Sequence, residues 1–145
     1  MLGVNAYDQS YIDDCRARME AQLAAYEKLV LAATGAKAAG AAGQTAVDAF
    51  EPLFLNHLVL ALDDYFVHRL RTKEGKDGNP LNEVRMLCTS ILQNGNVLAA
   101  DKTIKYRAEQ SVLKLELGDE IRLDLARFTL LCHAYFAEIE LKFGK

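Results

Sequence analysis

The sequence predicts a mainly α-helical, four-helix bundle-like domain with a small β-hairpin inserted before the last helix. Three observations carry this. Apolar residues recur every three or four positions along four separate stretches, the spacing of one helical face. Helix punctuation falls between those stretches, most clearly at Asn79–Pro80 and Asn94–Gly95. The segment "SVLKLELGDEIRLD", Ser111–Asp124, instead alternates with period two, which is strand behaviour.

The first helix is expected from Asp8 to Ala33, with Ile12, Cys15, Met19, Tyr26, Leu29 and Ala33 on one face. Asp13 and Asp14 lie in its first turn, where the helix dipole favours acids. The glycines of "TGAKAAGAAGQT" break a helix and its alanines give no core anchor, so residues 35–46 read as a flexible connector. The second helix should run from Asp48 to about Thr72, since Pro52 fits only a first turn. Phe54, Leu55, Leu58, Val59, Leu62, Tyr65, Phe66 and Leu70 form its apolar arc. His57, Asp64, His68 and Arg71 share a polar stripe away from that arc.

The third helix starts at Pro80, capped by Asn79, and stops at Asn94–Gly95. Leu81, Val84, Cys88 and Ile91 are its buried stripe. In the hairpin, a three-residue loop opposes Leu117 to Ile121 and Leu115 to Leu123, with Glu116 against Arg122 and Lys114 against Asp124. The final helix, capped by Asp124, spans Leu125 to Phe143 and turns Phe128, Leu131, Cys132, Tyr135, Phe136, Ile139 and Phe143 inward.

The 145 residues fit one domain, 1–145, with 51% hydrophobic and 26% charged residues. A net charge of −3 and a pI near 5.6 give no whole-molecule pull toward nucleic acid. Locally, Arg69–Lys114 holds nine Lys/Arg against five Asp/Glu, so a nucleic-acid contact there stays open. No apolar run approaches the roughly 20 residues of a membrane span. "MLGVNAYDQSYIDD" lacks the regions of a signal peptide, so a cytoplasmic protein is expected. Cys15, Cys88 and Cys132 form no CxxC pair and fall on apolar stripes, which predicts buried, reduced thiols.

Four features could carry function. The hairpin "RTKEGKDGNPLNEVR" places Arg71, Lys76 and Arg85 near a helix N-terminus, as an anion or nucleotide site needs, but it lacks the GxxxxGK[ST] spacing of a phosphate loop. Asp64 and His68 are one helical turn apart, and His133 from the final helix could complete a metal site. "RFTLLCH", Arg127–His133, resembles the Arg–His motif of HEPN-family helical nucleases, which implies an RNase. Six residues of regular helix, however, set that pair about 120° apart. Last, Leu60 and Val67 on the second helix, and Leu130, Ala134 and Leu141 on the final one, are apolar outside the core arcs. Two copies packing these lines would hide them, so a homodimer is expected. The expected function is therefore association, with itself or a partner, and the alternatives are a metal-dependent or RNase-like enzyme or an anion binder at 71–85.

Overall fold

The computed structural model describes residues 3–35 and 41–145. Its helices are α1 (Gln9–Thr34), α2 (Ala41–Asp64), α3 (Arg71–Glu74), α4 (Pro80–Gln93) and α5 (Leu125–Phe143). The single turn α3 aside, four helices form the bundle. α1 packs on α2 and α5, α4 packs on the same two, and α2 reaches α5 across the middle. Their inward stripes build one core, including Ile12, Met19, Leu55, Leu62, Leu81 and Tyr135. The chain ends are stitched in. The Val4 N–H donates to the His68 carbonyl (2.7 Å), and the Tyr7 N–H to the Phe143 carbonyl (2.7 Å).

α1 and α4 begin and end where their sequences direct, within a residue or so of the expected limits. At Asn79 the cap is visible, with Oδ1 accepting from the N–H groups of Leu81 (2.9 Å) and Asn82 (3.2 Å). α2 differs at both ends. It starts at Ala41 rather than Asp48, so residues 41–46 of the expected connector are helical, while 36–40 lie outside the described residues. The alanines there are the strongest helix formers and outweigh the glycine at 43. Pro52 consequently sits inside the helix and deprives the Asp48 carbonyl of its partner, but Asp48 is exposed and that carbonyl can meet water. The helix then ends at Asp64 instead of Thr72. The chain turns through Tyr65–His68 so that Arg69 can be drawn inside.

Extending α2 backwards changes another expectation. By length and composition Ala41–Asp64 is apolar enough to cross a membrane, and only 28% of its most apolar stretch is buried. Leu55, Leu58, Val59 and Leu62 nonetheless pack into the bundle core.

The expected β-hairpin does not form. Among the described residues there is no strand; the region expected to form the hairpin and its approach hold an isolated bridge between Val97 and Glu120 and a 3-10 turn at Ala108–Gln110, and two further isolated bridges, Val4–Arg69 and Tyr7–Gly144, lie elsewhere. The period-two signal was real in one respect: Leu113, Leu115, Ile121 and Leu123 are all buried while Lys114, Glu116, Glu120, Arg122 and Asp124 are exposed. Their backbones are satisfied partly by helix side chains and partly from within the connection, where the Ile121 N–H donates to the Asn96 carbonyl (2.7 Å). Glu83 on α4 accepts from the N–H groups of Val112 (2.8 Å) and Leu113 (3.0 Å). Asn56 on α2 donates to the Ile121 carbonyl (2.7 Å) and accepts from the Leu123 N–H (3.2 Å). Lys114, at φ 59°, also breaks the extended run. Leu117, expected opposite Ile121, stands exposed.

Candidate functional site

The polar stretch between α2 and α4 is built around two buried ions. Arg69 is 2% exposed and Glu74 is fully buried. Glu74 Oε1 accepts from Arg69 Nε (2.9 Å) and Arg85 Nη2 (2.6 Å); Oε2 accepts from Asn82 Nδ2 (2.8 Å) and Arg85 Nε (3.1 Å). Arg69 Nη1 donates to Asp63 (2.8 Å), to the Phe66 carbonyl (3.0 Å) and to the Tyr135 hydroxyl (3.2 Å). Burial pushes the Glu74 carboxyl up, but the Arg85 hydrogen bonds and the Arg69 and Arg85 charges outweigh it and hold it low. Among the described residues every buried side-chain N or O atom has a partner. A buried network whose atoms are all partnered holds the turn in place.

The residues of the expected anion site are placed differently from one another. Arg85 is spent on Glu74, while Arg71 and Lys76 are exposed. The metal candidates are likewise apart. Asp64 borders a groove between α2 and α4, and His133 borders a pocket with Arg16 and Glu20 between α1 and α5. Among the described residues no three His, Cys, Asp or Glu side chains are placed to hold an ion. Arg127 donates to the Leu113 carbonyl (3.1 Å), and α5 is unbroken between it and His133, so the 120° offset stands.

The thiols follow expectation in two cases. Cys15 and Cys132 are buried, and burial pushes the Cys132 thiol up to about 12. Cys88 is only half-buried by exposure, yet burial and then Asp63 raise its thiol as well.

No family model, curated protein or solved structure matches this chain. What remains is the surface the fold leaves open. Leu60 and Val67 lie with Ala61, Cys88 and Leu92 in the α2–α4 groove, rimmed by Asp63 and Asp64. Leu130 and Leu141 are on the outward side of α5, 58% and 78% exposed. The four expected interface residues thus fall in two places. A third apolar area lies between α1 and α2, with Leu29 and Phe50 exposed beside Tyr26 and Phe54. Leu92, Phe50, Ala126 and Ala137 were not read from the sequence, although Ala134 was. Ala137 could have been found, since Leu130 and Ala137 repeat at seven.

Proposed function

We propose that this chain is a non-catalytic helical protein that acts by self-association through an apolar face its own fold leaves open. The observation that carries the reading is the outward side of α5, where Leu130 and Leu141 stand largely in water on a helix whose inner arc is already fully packed. A bundle helix needs one apolar stripe, and a second one is surface set aside for contact. The closed Asp63–Arg69–Glu74–Arg85 network supports the same reading, because its polar groups serve the fold. Light scattering on protein eluting at roughly tens of micromolar, where micromolar contacts are populated, is expected to give twice the chain mass. A monomer there refutes the reading. So does an intact dimer when Val67→Glu and Leu141→Glu are combined in a chain that still folds.

A further inference from the structure

The outward side of α5 is a line of five residues: Ala126, Leu130, Ala134, Ala137 and Leu141. Ala134 is half-buried and the other four are exposed. From 130 to 141 the steps are four, three and four, the a/d spacing of a helix-pairing seam. The seam is also self-symmetric. Read from either end it is Leu, Ala, Ala, Leu, and both the leucine pair and the alanine pair are centred between Tyr135 and Phe136.

We infer that the occupant of this face is a second copy of the chain, its α5 laid antiparallel on the first about a twofold axis level with Tyr135–Phe136. This rests on the self-association proposed above and assigns it a surface and a geometry. An isologous contact must be complementary to itself, and a palindromic seam meets that condition. The axis sets Leu130 of one copy against Leu141 of the other at both ends. Between them the alanines of both copies face each other, which lets the helix axes approach to the short end of the 8–10 Å range.

One flank of the seam carries charge. His133 and Glu140 lie seven residues apart on the same side of α5. The twofold brings His133 of one copy within two residues of Glu140 of the other, about 3 Å of helix rise. Glu140 is already paired with Arg16 of its own chain, so each His133 meets that ion pair and not a free carboxylate. On the opposite flank Arg127 and Lys145 are engaged in their own chain, by the Leu113 carbonyl (3.1 Å) and Asp8 (3.1 Å). No described residue of the same chain covers the leucines. Neither of the other apolar areas has this internal symmetry: the α2–α4 groove draws on two helices and carries acids at its rim.

The test is cross-linking between two variants, Leu130→Cys and Leu141→Cys, treated with a short bifunctional thiol reagent and mapped by mass spectrometry of the linked peptides. Mapping separates these links from any at the half-buried Cys88. The antiparallel seam predicts a 130–141 link in the mixture and none in either variant alone, because like positions are 11 residues apart along the seam, about 16 Å. Links from 130 to 130 and 141 to 141 mean parallel pairing and overturn the inference. A dimer by light scattering that yields no α5 link places the contact elsewhere; it overturns this inference and leaves the proposed function standing. A monomer overturns both. A second measurement covers loss of the dimer in the cysteine variants. Leu130→Glu and Leu141→Lys should each weaken the wild-type dimer at least tenfold, and the double variant should regain part of that loss by facing Glu with Lys. Failure of the double variant to exceed either single one overturns the geometry.

Discussion

Among the described residues, the two irregular connections between helices, residues 65–79 and 94–124, solve the same problem with different chemistry. Each must carry the chain between helices without a ladder to satisfy its backbone. The first does it with ions. Arg69 and Glu74 are carried inside with the chain, and Asp63, Arg85, Asn82 and Tyr135 close around them from α2, α4 and α5. The second keeps its own charges out and takes hydrogen bonds from helix side chains, Glu83 and Asn56, while its leucines alternate into the core. They meet at one point. Lys105 N–H donates to the Lys76 carbonyl (2.9 Å), and a Cβ on Gly78, whose φ is 87°, would come within 2.6 Å of the Lys105 carbonyl. The lesson is that a polar, glycine-containing stretch can anchor itself in the core with an ion pair where a leucine-rich one does so with apolar side chains.

If the ionic connection is the stiffer of the two, its centre is the place to break it. Arg69→Met leaves Glu74 and Asp63 without their shared cation in a dry site. Breaking a buried pair in this way costs about 3–5 kcal/mol. Urea unfolding should show that loss as a lower midpoint. A loss below about 1 kcal/mol would place the network on the level of a surface ion pair and erase the contrast.

The second connection should lose less at any one position. Asn56→Ala strands the Ile121 carbonyl and the Leu123 N–H, at about 1–3 kcal/mol, and faster amide exchange at Leu123 should accompany it. The two glutamates also titrate in opposite senses. Burial raises Glu83, and the two backbone N–H groups offset that only in part, whereas Glu74 is held low. Glu74 therefore contributes stability that is complete above the ordinary glutamate value and lost as pH falls through its lowered one. Glu83 does the reverse: the folded chain keeps its proton longer, so stability drops as pH rises from the ordinary value through the raised one. Relative to wild type, Glu83→Gln should gain stability from acid to neutral pH and Glu74→Gln should lose it. Parallel trends would show that the two sites are electrostatically alike.

Legibility followed the same division. Asn79, Pro80 and Asp124 announce α4 and α5 because a cap is a local event, decided within a few residues of sequence. The core arcs of α2 and α5 were readable for the same reason, as periodicity is local. The end of α2 was not, because Tyr65–Leu70 continues the apolar period and only the distant partners of Arg69 explain why the chain leaves the helix there. The hairpin failed differently. Alternation records which side chains go inside, and it is silent on what bonds the backbone; here Glu83 and Asn56 do so in part, from 30 and 67 residues away in their longest-reaching contacts to Leu113 and Leu123. Of the association surface, Leu130, Ala134 and Leu141 were legible as a line. Leu60 and Val67 shared a line too, but Leu60 packs partly against the core, which only the placement of α4 reveals.

The smallest expected difference lies at the helix caps that close each connection. Asn79 Oδ1 takes two amides, and its Nδ2 donates to the Glu74 carbonyl (2.8 Å) and to Asp77 (2.8 Å). Asp124, by contrast, is exposed and accepts one bond, from the Arg127 N–H (2.8 Å). Losing a cap costs about 0.5–2 kcal/mol. Asn79→Ala should fall near the top of that range, because it also loosens the carbonyl of the residue at the centre of the ionic network. Asp124→Ala should fall near the bottom, where water can replace the carboxylate. Equal shifts in the urea midpoint would mean that Asn79 acts as an ordinary cap, and that the rigidity of the first connection ends at Glu74 instead of running into α4.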